Sequence, residues 1–171
     1  MSYWLAARVI GTFVVLITVF FIILSWEPIL AVFDIGAGLA QLAAWMSFGV
    51  LKVIGALGGF PVHRMHTIMG SGSFEVDVAP ACSGAVPTSI YLAAVLAYPT
   101  SWRARGLGTL IGIVVIQLVN VVRVTALFLV GLFFQEIFHD THVYVAQALV
   151  VCVAVALWLY WATRFADAPA H

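Results

Sequence analysis

The sequence predicts an all-α integral membrane helical bundle of about five transmembrane helices, with a small extracytoplasmic β-hairpin-like segment. Of the 171 residues, 64% are hydrophobic and 8% are charged, whereas soluble domains carry about 25% charged residues. The mean hydropathy is +1.15. The apolar residues form runs close to the length of about 20 residues that a membrane-spanning helix needs. One short segment between these runs instead alternates apolar and polar residues, which is typical of a strand.

Five apolar runs define the predicted spans, which are 9–25, 36–57, 83–98, 107–134 and 143–163. The first run is followed by Ser-Trp-Glu-Pro rather than by a small-x-small cleavage site. We therefore expect it to be a retained span and not a signal peptide. The runs divide the chain into an N-terminal span and loop, 1–35, and a membrane domain, 36–171, which carries the surface segment 58–81.

The surface segment 58–81 differs in pattern from the spans. Gly58-Gly59 is expected to end the second helix, and Gly70-Ser-Gly-Ser73 predicts a turn. Residues 74–78, Phe-Glu-Val-Asp-Val, alternate at period two and predict a strand that pairs with 62–69. The hairpin is either a plain connector or a lip that holds an extended peptide beside the following residue, Cys82.

Charge sets the expected orientation and excludes one class of partner. Arg103 and Arg105 in the third loop, with Arg164 after the last span, favour a cytoplasmic position for those ends. The segment 58–81 and Cys82 then lie on the outer side of the membrane, with membrane lipids as surroundings. The net charge is zero and no basic run is present, so nucleic acid binding is not supported.

Cys82, Ser83 and Gly84 begin the third apolar run. The positive end of a helix favours the thiolate form of a cysteine, which makes Cys82 a candidate nucleophile. Ser83 and Gly84 would permit close approach of a substrate, and the backbone N–H groups after Cys82 could line an oxyanion hole. Cys152, inside the last span, is expected to be a small buried hydrophobic residue that forms no disulfide.

Arg123 lies deep inside the fourth run, where an arginine costs about 2.5–3.5 kcal/mol on insertion scales. Gln117, Asn120 and Arg123 recur every three residues and predict a polar stripe on one helix face. The stripe either forms hydrogen bonds between helices, with Arg123 reaching to the interface, or lets Arg123 stabilise a thiolate or an oxyanion. Counting residues from the third loop places Arg123 and Cys82 at similar heights.

His142 stands at the head of the last run and could act as the general base and acid for Cys82. His139, three residues earlier, competes for this role. Two other functions stay open. Two H-x-x-H pairs, formed by His63 with His66 and by His139 with His142, could hold Zn²⁺ with Asp140 in a metal-dependent membrane hydrolase.

The other alternative is a non-catalytic membrane subunit of envelope or polysaccharide assembly. In that protein Asn120 and Arg123 would bind a partner helix or an anionic lipid.

Three spaced blocks resemble the exosortase/archaeosortase family, and the short length and five-span layout are most similar to its exosortase H subgroup. The blocks are F-x-V-D-V-A-P-A-C-S-G at 74–84, N-V-V-R-V at 120–124 and H-x-x-x-x-Q at 142–147. The resemblance implies a catalytic domain in 36–171 with Cys82 as nucleophile and Arg123 and His142 as its partners, without cofactor or metal. The expected supporting residues, which flank these three within the blocks, are Ser83, Gly84, Asn120 and Gln147.

The resemblance also implies the substrate class. Exported proteins would carry a C-terminal sorting tail that consists of a short motif, a hydrophobic helix and a basic cluster. In the exosortase H subgroup the motif is of the I-P-T-L-x-x-W-G type. The enzyme would cut near the motif and pass the protein to an envelope acceptor. It would lie in the bacterial inner membrane with its active site on the outer side.

Overall fold

A computed structural model describes residues 3–31 and 34–166 and confirms the helical membrane bundle. The helices in chain order are α1 (Tyr3–Ser25), α2 (Glu27–Leu30), α3 (Ile35–Gly58), α4 (Ala85–Ala97), α5 (Trp102–Phe133), α6 (Phe138–Asp140) and α7 (Ala146–Arg164). Within the described residues, four helical stretches are long and apolar enough to cross a membrane, namely α1, α3, α5 and the continuous stretch Gln135–Arg164 that ends in α7. The predicted retained first span is thus one helix, α1.

The third predicted span is shorter than expected. Helix α4 has 13 residues and is about 20 Å long at 1.5 Å per residue, less than the roughly 30 Å of hydrocarbon in a bilayer. Pro80–Cys82 forms a separate 3₁₀ turn, and Gly84, with φ of 77°, caps the helix. The prediction that Cys82 begins the helix is therefore wrong by three residues, because this turn and its left-handed glycine come first.

The surface segment forms a three-stranded antiparallel sheet in the order β1-β2-β3. Its strands are β1 (His63–Met65), β2 (Ile68–Ser71) and β3 (Phe74–Asp77). The predicted hairpin is correct for the second and third strands, but 62–69 is not one strand. A turn at His66, whose φ is 56°, divides it. The predicted turn 70–73 is also shorter, because pairing continues until Gly72, whose φ is 61°.

The period-two pattern of β3 decides how the sheet packs on the bundle. Phe74, Val76 and Val78 share the face that packs onto α3 and α5, whereas Glu75 and Asp77 are exposed. The buried members of this core are Ala40, Ala44, Leu51, Met69, Val78, Val124 and Phe128. The sheet is therefore packed on the membrane helices next to residues 78–84, which join β3 to α4 and include Cys82.

Helix α5 is the centre of the bundle and contacts α3, α4 and α7. Small residues on α5 let aromatic rings approach its backbone, as is common between membrane helices. Tyr91 of α4 donates a hydrogen bond to the carbonyl of Gly108 at 3.1 Å, and Trp161 of α7 donates to that of Ala104 at 3.0 Å. The ring of Tyr91 also lies against Gly112. These contacts hold α4 and α7, which also contact each other, against one stretch of α5.

Candidate active site

Cys82 and His142 come together at the sheet-covered end of the bundle. The 3₁₀ turn is closed by the N–H of Cys82, which donates to the carbonyl of Ala79 at 2.8 Å. The Cys82 thiol is half-buried, and its Sγ lies 3.9 Å from Nε2 of His142. A thiol beside an imidazole is the arrangement that activates a cysteine nucleophile.

His142 lies in a π-helical turn, Thr141–Val145, which joins α6 to α7. Such turns are frequent at functional sites. Its imidazole stacks on the ring of Phe138, with centroids 5.9 Å apart and planes at 19°. Phe138 meets Phe74 of β3 edge-on at 6.0 Å, and Phe74 meets Phe128 of α5 in the same way at 5.6 Å. A chain of aromatic rings thus fixes the imidazole to both the sheet and α5.

The predicted polar stripe of α5 faces the segment around Cys82. Asn120 is fully buried, and its Nδ2 donates to the carbonyl of Cys82 at 3.0 Å. Gln117 Nε2 donates to Thr88 Oγ1 at 3.3 Å, and this hydroxyl in turn donates to the carbonyl of Gly84 at 2.7 Å. The stripe therefore holds the backbone at Cys82 directly and at the cap residue Gly84 through Thr88.

Arg123 follows Asn120 on the same face and is only 5% exposed. Within the described part of the chain, its Nε has no hydrogen-bond partner. Its charge interacts electrostatically with the imidazole of His142. A buried, uncompensated guanidinium is costly unless an anion approaches it, so this side chain suits a site in which negative charge develops.

A small pocket of about 30 Å³ opens between Cys82, His142 and the sheet. Besides these two residues, it is lined by Val76, Asp77, Val78, Val124, Leu127, Phe128 and Phe138. Strand β3 thus forms one wall of the candidate active site. The sequence interpretation did not assign Phe138 or Asp77 to the site. Phe138 stands four residues before His142, and this helical spacing is the signal that could have found it.

The supporting residues are distributed unevenly. Ser83 is fully buried, and its Oγ accepts a hydrogen bond from the N–H of Ala85 at 3.2 Å. The N–H of Ser83 donates to the carbonyl of Pro80 at 3.1 Å, so this donor is occupied within the turn and does not point at a substrate. Gly84 lies so close to α5 that a Cβ would be 3.2 Å from the Asn120 amide carbon.

Three polar or reactive side chains lie away from the pocket between Cys82 and His142. Gln147 is exposed on α7, and His139 is exposed on α6. Of the two competing histidines, His142 is therefore the one that contacts the thiol. Cys152 is exposed on α7 as a free thiol, so its predicted burial is wrong. The residue lies on an outward-facing surface of α7. A small apolar side chain is as well suited to contact with lipid as to burial in the protein core.

The metal alternative receives no support from the described residues. Among residues 3–31 and 34–166, no three His, Cys, Asp or Glu side chains lie close enough to hold a metal ion. His63 instead contacts Glu75 across the sheet at 3.4 Å, and His66 occupies the turn between β1 and β2.

A model of the transmembrane exosortase family matches residues 3–162. The chain belongs to this family. The family match confirms the resemblance of the three blocks and extends it through α1, beyond the half of the chain that carries the blocks. No curated protein and no solved structure matches the chain. Exosortases are integral membrane proteins that act on exported proteins with C-terminal sorting signals.

Proposed function

We propose that this exosortase is a membrane-embedded cysteine transpeptidase, which cleaves the C-terminal sorting tails of exported proteins and transfers the proteins to an envelope acceptor. The observation that carries the proposal is the contact of Cys82 Sγ with His142 Nε2 at 3.9 Å. It joins two residues that are far apart in the chain, in a pocket walled by a strand. Catalytic contacts are often long before substrate binds and tighten in the reacting complex.

The first half of the reaction uses all three predicted catalytic residues. His142 Nε2 accepts the thiol proton of Cys82, and the resulting thiolate attacks the scissile carbonyl carbon, forming a C–S bond. Negative charge develops on the carbonyl oxygen, and the buried charge of Arg123 stabilises it. Among the described residues, Arg123 forms no ion pair with a carboxylate, so its positive charge is available to the oxyanion.

The second half releases the tail and resolves the intermediate. The C–N bond breaks, and the leaving amine of the tail takes the proton held by His142. This leaves the exported protein joined to Cys82 as a thioester. An acceptor amine or hydroxyl then attacks the thioester, its proton passes to His142, and the thiol is regenerated. Water in place of the acceptor would give hydrolysis, so the same residues serve a protease.

Membrane binding of the tail supplies orientation. The hydrophobic helix of the tail would pack beside α4, α5 and α7, placing a motif of the I-P-T-L-x-x-W-G type at the sheet on the outer side of the bacterial inner membrane. Holding reactants in a productive geometry can contribute about 7–11 kcal/mol to lowering a barrier. The predicted division at residue 36 would assign α1 a role outside this catalytic domain.

The test follows an exported reporter protein with such a tail, coexpressed with the wild-type enzyme or a variant. Tail removal is measured by blot. We expect removal with the wild type and with Cys152→Ala, because Cys152 is exposed on α7 away from the pocket. We expect none with Cys82→Ala at equal membrane abundance. The paired variants separate a specific role of Cys82 from a general effect of losing a thiol.

Equal processing by Cys82→Ala and the wild type would overturn the proposal. It would favour the non-catalytic assembly subunit, in which Asn120 and Arg123 bind a partner helix or a lipid.

A further inference from the structure

One edge of the sheet borders the candidate active site. Within the described residues, β3 pairs with β2 alone and is an edge strand. An edge strand presents a row of unpaired backbone N–H and C=O groups, which bind other strands readily. Val76, Asp77 and Val78, at the end of this strand, line the same pocket as Cys82 and His142. The edge is thus continuous with the site where the scissile bond must lie.

The register of the sheet shows which backbone groups face outward. The N–H of Val78 donates to the carbonyl of Thr67 at 3.1 Å. Hydrogen-bonded and non-bonded pairs alternate along an antiparallel ladder, so every second residue of β3 counted from Val78 bonds to β2. The N–H and C=O of Glu75 and the N–H of Asp77 therefore point away from the sheet. The carbonyl of Asp77 accepts from Ala79 at 3.1 Å.

We infer that the outer edge of β3 binds the extended substrate segment that carries the scissile bond, and that this segment pairs with Glu75 and Asp77 as a fourth strand. The inference rests on the proposed transpeptidase function. Strand addition uses main-chain hydrogen bonds for affinity and side-chain pockets for specificity. It holds the peptide extended, which exposes its carbonyl carbons to a thiol.

Strand addition also determines on which face of the sheet each substrate side chain lies. Alternate side chains of the added strand would share the inward face of Val76 and Val78, towards the pocket. That pocket measures about 30 Å³, and a volume of about 10–15 Å³ on this measure holds one water molecule. It therefore fits a small side chain at the inward position beside Cys82 and not an aromatic one.

A proline scan of the two sheet edges tests this inference with the tailed reporter and purified enzyme. Glu75→Pro removes one outward N–H and leaves the ladder to β2 intact, since proline is tolerated at strand edges. Glu75→Ala removes the same side chain but keeps the N–H. Because one hydrogen bond is lost, we expect kcat/KM of Glu75→Pro to be about 3- to 10-fold below that of Glu75→Ala. Asp77→Pro should lie below Asp77→Ala in the same way.

Strand β1 supplies the matched control. By the same alternation, the N–H of Arg64 points outward from the opposite edge, away from the pocket. Arg64→Pro and Arg64→Ala should therefore have equal kcat/KM. Alkylation of Cys82 by a small thiol reagent should proceed at the same rate in all six variants, which checks that the proline substitutions leave the site folded.

A scan on the substrate side does not depend on enzyme folding. A synthetic peptide that contains the I-P-T-L-x-x-W-G motif is methylated at one backbone N–H at a time, with the proline, which has no N–H, left unchanged. Strand addition predicts losses that alternate with period two along the peptide. Losses without alternation, or equal kcat/KM for each proline and alanine pair, would overturn the inference while leaving the proposed function intact. A reporter that Cys82→Ala processes like the wild type would overturn both.

Discussion

The Sγ of Cys82 lies 3.9 Å from Nε2 of His142, and the two residues are held by different parts of the fold. The backbone of Cys82 is held through its carbonyl by Asn120 of α5 at 3.0 Å. The imidazole is held by stacking on Phe138. Phe138 contacts Phe74, which in turn contacts α5. Cys82 and His142 are therefore both positioned by contacts that lead to the same helix. The packing of β3 and α6 on α5 therefore determines the distance between the Cys82 thiol and the His142 imidazole.

His142 is expected to be the catalytic histidine. His142→Ala should lower the rate of tail removal about 10²- to 10⁴-fold, which is the usual contribution of a positioned general base. His139→Ala is the matched control, because His139 is exposed one turn earlier. Initial rates of reporter processing in purified membranes measure both. A loss as large in His139→Ala as in His142→Ala would transfer the role to His139.

Arg123 should contribute to activity and not to stability. Arg123→Met removes a buried charge whose Nε has no hydrogen-bond partner among residues 3–31 and 34–166, and it fills the space with an apolar chain. Such replacements are often neutral or stabilising, so the thermal unfolding midpoint in detergent should not fall. Processing should fall about 10²- to 10³-fold, as for loss of an oxyanion donor.

Arg123→Lys serves as the comparison, because it keeps the charge without the planar guanidinium. It should retain more activity than Arg123→Met. A lower unfolding midpoint in Arg123→Met, with activity retained, would assign the arginine a structural role.

The sequence predicted the spans because apolar length is what a bilayer requires, and the five runs correspond to α1, α3, α4, α5 and α7. It overestimated α4, because the left-handed Gly84 and the 3₁₀ turn before it leave no mark on hydropathy. It missed β1 for a similar reason. The turn that separates β1 from β2 is made at His66 with positive φ, and neither glycine nor asparagine marks it.

The sequence suggested candidate site residues, but it did not indicate which side chains hold them in place. Cys82 was chosen for its predicted place at a helix start, Arg123 for its place inside an apolar run, and His142 over His139 through the resemblance of the three blocks. The ring contacts of Phe74 with Phe138 and Phe128 join distant parts of the chain. In a chain with 12 phenylalanines, the spacing of Phe138 from His142 is a local signal, but no local pattern joins Phe74 to Phe128 or to Phe138.

Gly131 should be required for the position of His142. A Cβ at this residue would collide with the ring of Phe74 and lie 3.0 Å from the ring of Phe138. Gly131→Ala should therefore tilt the stack that carries the imidazole. A misplacement of about 1 Å can cost about 10²-fold in rate, so we expect a 10- to 100-fold loss of reporter processing.

The readout that separates positioning from folding is the double variant with His142→Ala. If Gly131 acts through the imidazole, Gly131→Ala should cost little more once the imidazole is gone. Additive losses in the double variant would contradict this coupling.

Gly112 and Gly106 offer a matched pair on α5 for the packing of the bundle. A Cβ at Gly112 would collide with the ring of Tyr91, whereas a Cβ at Gly106 meets nothing within 4 Å. Gly112→Ala should lower stability by about 1–3 kcal/mol, because overpacking forces the ring or the helix backbone to move.

Gly106→Ala should be neutral or stabilise by up to about 1 kcal/mol, because alanine is the better helix former. The thermal unfolding midpoints of the two variants in detergent are compared directly, since each variant carries one Gly→Ala substitution on α5. Tyr91 makes two contacts with α5 that could each account for the difference in stability. Its ring lies against Gly112, and its hydroxyl donates a hydrogen bond to the carbonyl of Gly108 at 3.1 Å. A Tyr91→Phe background keeps the ring and removes this bond, so the Gly112→Ala penalty should persist there. If the penalty instead disappears with the hydroxyl, the close approach of α4 to α5 depends on the hydrogen bond rather than on the space that glycine leaves.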